Sequence, residues 1–88
     1  MKVKNMTSNQ GNKIANQFII IDNSGVVYFQ SYNSVIAKKT AKKIYLDKNY
    51  WDYSVTTGKY RNIFLNENKN QTERKIKEGI YILTDLNK

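Results

Sequence analysis

Residues 17–32 constrain the fold more than any other stretch of the chain. Gln17 to Asp22 contains the apolar run Phe18-Ile19-Ile20-Ile21, which is continuous and mostly β-branched, the pattern of a strand buried on both faces. Asp22-Asn23-Ser24-Gly25 follows, and Asn and Gly tolerate the positive φ of a tight turn. Val26 to Tyr32 is then a return strand. Side chains alternate along a strand, so Val27, Phe29 and Ser31 share one face, and Val26, Tyr28, Gln30 and Tyr32 share the other. The two segments make a β-hairpin.

The flanks are read against that hairpin. Residues 1–13 are polar, with Ser8-Asn9-Gln10-Gly11-Asn12 in sequence. They form a flexible N-terminal arm or an edge strand, and the alternation from Lys2 to Met6 is compatible with a short strand. Residues 14–88 make a single α+β domain. Ser34 to Leu46 admits two readings. Ala37, Ala41 and Ile44 fall on one helical face, and Ala and Lys favour helix. Alternatively, Ser34–Lys39 and Lys42–Asp47 are two strands around a basic turn.

Further on, Thr56 or Thr57 is placed to cap a helix through its hydroxyl. Tyr60, Ile63 and Phe64 lie at helical spacing as its buried face. Asn66 is suited to end it in a left-handed conformation. Asn66 to Gln71 reads as a polar linker. Thr72 then caps a short helix, Glu73–Glu78, which Gly79 stops. Ile80-Tyr81-Ile82-Leu83-Thr84 is a final strand. The expected fold is a four- to five-stranded, mainly antiparallel sheet with two short helices, in the order strand, strand, strand, strand, helix, helix, strand.

Charge points to a class of partner. The formal net charge is +8 over 88 residues, which favours nucleic acid, an acidic membrane surface or an acidic protein. The abundance of Asn and Lys without Pro also fits A·T-rich coding bias, which discounts part of the lysine count. A chain of this length buries roughly 60–65% of its unfolded surface, so the core is modest. There is no Cys and no His. No disulfide or thiolate metal site is therefore available, and a cytosolic setting is expected. The longest apolar run is far short of a membrane span, so no spanning segment is expected, and of the three candidate partners the membrane is not the one expected.

Catalysis is not favoured. Without His or Cys, the commonest general base and nucleophile are missing. Asp47 and Asp52 are five residues apart and are a weak pair for a hard cation; their ordinary roles are in turns and caps. The expectation is a protein that is not an enzyme, with no cofactor and no metal. Thr56-Thr57-Gly58-Lys59 invites a phosphate-loop reading, which fails: Tyr53 stands where a Walker A motif needs Gly, and Tyr60 where it needs Ser or Thr. A more general helix-start anion site at Thr56 and Thr57 remains, against the alternative of an ordinary capped helix.

The candidate nucleic-acid phosphate contacts are Lys38, Lys39, Lys42, Lys43, Lys59 and Arg61. The first four are the densest charge in the chain. Tyr50 and Tyr53, close behind Lys48, are candidates for base stacking, because RNA binders set aromatic rings beside cations. Trp51 between them is read as core. Tyr28 and Tyr32 are open to either role.

Two stretches carry a resemblance: Phe29-Gln30-Ser31-Tyr32-Asn33-Ser34-Val35-Ile36-Ala37, and Trp51-Asp52-Tyr53-Ser54-Val55-Thr56-Thr57-Gly58-Lys59-Tyr60 with Phe64-Leu65 after it. Together they resemble small phage and prophage proteins of low-GC Gram-positive bacteria. The resemblance implies the two-strand reading for Ser34–Leu46 and no catalytic residues. The expectation that follows is a phage-encoded accessory protein in the host bacterial cytosol. It would bind RNA or a ribonucleoprotein complex and interfere with host defence in the manner of an anti-CRISPR. The alternatives are an inhibitor or adaptor docking an acidic host protein surface and, more weakly, a DNA-binding regulator. Exposed strand edges make a dimer a further expectation.

Overall fold

The computed structural model describes residues 1–88. The strands are β1 (Lys2–Thr7), β2 (Lys13–Ile21), β3 (Val27–Ser31), β4 (Ser34–Lys39) and β5 (Ile44–Asp47), followed by α1 (Val55–Leu65), α2 (Lys69–Lys77) and β6 (Tyr81–Thr84). All six strands join one sheet in sequence order. The first five are an antiparallel meander, and β6 adds to β5 in parallel. A parallel pair needs a long crossover, and the segment from β5 to β6 carries both helices.

The α+β class and the two helices are as expected from the sequence. The strand count is corrected: there are six strands, not four or five, and the helices follow five strands instead of four. The additional strand is β1, whose pairing runs from Lys2 opposite Ile21 to Thr7 opposite Lys13. Residues 34–47 form two strands and the helical alternative is not realised.

Three turns set the register. At β2–β3, Asp22 Oδ1 accepts from the Ser24 and Val26 amides and from the Ser24 hydroxyl, and Gly25 takes φ +89°. The β3–β4 hairpin has only Tyr32 and Asn33 between its strands. At β4–β5, the Thr40 hydroxyl oxygen accepts from the Lys42 and Lys43 amides.

Both helices lie on one face of the sheet. Phe29 and Phe64 stack at 5.7 Å, and the core comprises Met6, Phe29, Ile36, Ala37, Leu46, Phe64, Leu65 and Tyr81. The buried stripe of α1 is Thr57, Gly58, Arg61, Phe64 and Leu65. That spacing is helical, but two of its members are polar. Apolar periodicity points instead to Tyr60, Ile63 and Phe64, and Ile63 is in fact 57% exposed. The buried face is turned by about one residue because Thr57 and Arg61 find polar partners inside.

The N-caps differ from expectation in a similar way, whereas the left-handed end at Asn66 is as expected. Ser54 caps α1, its side chain accepting from the Thr57 amide, and Asn66 ends the helix at φ 57°, ψ 49°. Asn68 caps α2 in a reciprocal box with Gln71. Thr72, expected to be the cap, lies inside α2 and is fully buried.

The presumed linker 66–71 contains a hub. The Glu67 carboxylate accepts from Thr72, Lys75 and Tyr81, tying α2 to β6. Burial pushes the Glu67 carboxyl up, but these donors outweigh it and hold it below its ordinary 4.5. The same contacts raise Lys75, while burial and Glu67 raise the Tyr81 phenol.

Candidate nucleic-acid interface

No helix packs on the second face of the sheet. Cross-strand register places Val3, Ile20, Tyr28, Lys38, Tyr45 and Ile82 in one row across all six strands of that face. Asn5, Phe18, Gln30 and Val35 form the adjacent row. An antiparallel sheet with a solvated face normally alternates apolar and polar residues. Here the alternation is absent. Phe18 and Ile20, expected to be buried by a second layer, stand half-exposed on the bare side.

Lys38 is the charged centre of the long row. Its Nζ lies 5.9 Å from the Tyr28 ring centroid and 5.5 Å from that of Tyr45. Two rings on neighbouring strands thus flank one ammonium. The exposed Lys42 and Lys43 lie in the turn just beyond. Asp22 is near the Tyr28 hydroxyl, at 3.5 Å, and its carboxyl sits below the ordinary range, chiefly through the Ser24 hydroxyl.

The other expected contacts divide. Lys39 points to the helical side, where Nζ donates to the Phe64 carbonyl at 2.6 Å and sits over the Phe64 ring. Burial lowers its pKa, and it is not available to phosphate. Arg61 is 1% exposed. Its Nη1 donates to the Trp51 carbonyl and to Asp52, and its Nη2 to Asn62. The guanidinium also lies over the Trp51 ring. It is an internal brace, and the expectation of a phosphate contact there is corrected.

Thr57 is also buried, its hydroxyl bonded to Ser31 and Ser54, so it offers nothing to an external anion. Thr56 and Lys59 are exposed, Lys59 lying over Tyr60. Asp52 already occupies the cationic hollow beside α1, pairing with Arg61 at 3.1 Å and Lys69 at 2.6 Å. Burial alone would raise its carboxyl, and the two cations hold it low.

The two basic patches lie apart. Lys39, next to the Lys42–Lys43 turn, touches the C-terminal end of α1, whereas Ser31 at the far end of β3 touches its first turn. Lys59 therefore does not share a surface with Lys42 and Lys43. Tyr50 and Tyr53 meet edge to face at 5.5 Å, at the end of the sheet away from the basic turn. Trp51 packs against the core.

Tyr45 was not singled out from the sequence. Its signal is the alternation Ile44-Tyr45-Leu46, legible only once that segment is taken as a strand. Asp47 and Asp52 do not form a cation pair. Asp47 is fully buried, accepting from the backbone amides of Asn49, Tyr50 and Leu86, and no cluster of three metal-ligating side chains exists.

The class defined by this architecture is an open-faced α+β domain, a mixed sheet with helices on one side only. The chain belongs to a family of unknown function (DUF8033), whose profile matches residues 1–79. It is also similar to an uncharacterized 20.3 kDa protein in the rpl12-rps7 intergenic region of Euglena longa, with 38% identity over 88 residues. That alignment covers 97% of this chain and 46% of the relative, so the chain spans about half the length of the curated relative it matches. No solved structure matches. No helix is long and apolar enough to cross a membrane.

Proposed function

We propose that the bare sheet face binds single-stranded RNA, alone or within a ribonucleoprotein complex, without catalysing a reaction. The observation that carries this reading is the row in which Lys38 stands between Tyr28 and Tyr45 on an uncovered sheet. Bases stack on the two rings while Lys38, Lys42 and Lys43 meet the phosphates. Sheet-borne aromatics are a general means of holding unpaired bases. The net charge of +8 favours a polyanion over a second copy of the chain, which would oppose Lys38 to Lys38.

Fluorescence anisotropy with a labelled single-stranded RNA tests the proposal. Tyr28→Ala and Tyr45→Ala should each weaken binding by about 1–3 kcal/mol, with the fold checked by circular dichroism. If the double variant binds RNA as tightly as the parent, the platform is misassigned. If no RNA binds at low salt but an acidic host protein is retained, the face is a protein-docking surface.

The phage setting and the anti-CRISPR role belong to the same proposal and are supported by the sequence resemblance. Expression in cells with an active RNA-guided defence should reduce interference, and unimpaired interference would remove that part of the proposal.

A further inference from the structure

A second concavity, of about 440 Å³, lies between the Tyr32-Asn33 turn and the loop before α1. Its size falls in the range of small-molecule sites, roughly 300–1,000 Å³. Tyr32, Tyr50 and Tyr53 line it together with Ser31, Asn33 and Thr57. Tyr32 and Tyr53 are 54% and 70% exposed and form the rim, while Ser31, Thr57 and Ile36 are buried at the base. There the two hydroxyls share a hydrogen bond of 3.2 Å.

Two features of this pocket and one beside it need a common reason. The first is charge: in a chain of net charge +8, no charged residue lines it.

The second is backbone strain. Tyr32 takes φ +55° at the first central position of a two-residue hairpin turn, where glycine is the usual occupant. Its amide donates to the Asn16 carbonyl at 2.7 Å, and its carbonyl accepts from the Gln30 side chain at 2.8 Å. The strained conformation is thus pinned from both sides. That geometry turns the ring from the bare face, where alternation places it, toward Tyr50 and Tyr53.

The third is an orphaned amide. Gln17 pairs in register with Ser31 on the same face, is 1% exposed, and neither its Nε2 nor its Oε1 has a partner. Buried polar groups are nearly always paired; Gln17 does not itself line the pocket, and its unused hydrogen-bonding capacity lies directly across the sheet from Ser31.

We infer that the pocket formed by Tyr32, Tyr50 and Tyr53 binds a neutral planar heterocycle with a hydrogen-bonding edge, a nucleobase. A phosphate would find no cation in the lining. An ammonium ligand would find no carboxylate there and would be repelled by the net charge. An aliphatic ligand would leave the hydroxyls at the base facing carbon. A flat ring stacks on tyrosine and presents its edge to Ser31 and Asn33. The base comes either from an unpaired position of RNA or from a free nucleoside. This inference stands independently of the sheet-face proposal.

Titration with the four ribonucleosides, followed by amide chemical shifts in NMR, tests it. At least one nucleoside should shift the amides of residues 31–34 and 50–53. Tyr53→Ala and Tyr32→Gly should each weaken that binding about tenfold or more. Tyr32→Gly relieves the positive φ and should melt no lower than the parent, so lost binding there is not lost folding. Tyr28→Ala and Lys38→Ala should leave nucleoside binding unchanged, which separates this pocket from the sheet face. Weaker RNA binding in Tyr53→Ala identifies a base of the strand as occupant. Unchanged RNA binding with lost nucleoside binding identifies the free nucleoside. Absence of shifts at saturating nucleoside, or binding that survives in the Tyr32→Gly/Tyr53→Ala double variant, overturns the inference.

Discussion

Arg61 holds the loop before α1 to the helix itself, through the Trp51 carbonyl, Asp52 and Asn62. Lysine cannot reproduce that fork. Arg61→Lys should therefore destabilise the fold by about 2–3 kcal/mol, read by urea denaturation, and RNA affinity should be unchanged in the folded fraction. Glu67 acts similarly between α2 and β6. Its folded pKa lies below the ordinary 4.5, so its contribution to stability is complete above that value and is lost as pH falls through the lower folded value. The melting temperature of the parent should drop across this acid limb, and Glu67→Gln should flatten the drop while lowering stability near neutrality. An equal acid slope in both proteins would remove Glu67 from the account. Neither role is visible in the chain, since Arg61, two positions from Lys59, reads as a phosphate contact and Glu67, between two asparagines, reads as part of a polar linker. Their partners lie 8 to 14 positions away for most contacts, and local pattern carries no information at that separation.

Element boundaries depend on capping, and α1 separates two kinds of threonine from the serine before them. Ser54 caps the helix, so Ser54→Ala should cost about 1 kcal/mol. Thr56→Ala should change melting little, because Thr56 is exposed. If the two variants exchange these outcomes, the helix begins later than residue 55. The hairpin from Gln17 to Tyr32 was legible because a β-branched apolar run and turn chemistry agree there. The left-handed Asn66 and the stop at Gly79 were legible for the same reason: special backbone conformations select a few residue types. The buried face of α1 was not legible, because Thr57 and Arg61 interrupt its apolar stripe and become suitable only once Ser31 and Trp51 are packed against them.

At the scale of the molecule, charge and topology act together. Six strands in a nearly sequential meander leave one side for the crossover and its two helices, and the other side bare. If Lys38, Lys42 and Lys43 each neutralise a phosphate, log K for RNA should fall with log salt at a slope of about −2. The triple variant Lys38→Gln/Lys42→Gln/Lys43→Gln should lose most of that slope while melting normally. Lys39 is omitted from that set, because Lys39→Glu would place a carboxylate against the Phe64 carbonyl at the end of α1 and destabilise the fold. A slope that persists in the triple variant would move the phosphate track elsewhere.

The amino-acid sequence by itself determined the α+β class, the central hairpin, the two helices and the basic character of the chain, since each follows from local periodicity, turn chemistry or composition. The tertiary structure alone decided which side of the sheet stays bare. It also decided that Lys38 and Lys39, adjacent in sequence, face opposite ways, one between Tyr28 and Tyr45 and the other under Phe64. The pleat alternates every residue, so a single position separates a surface cation from one committed to the core. Which of the two it is depends on where the helices pack.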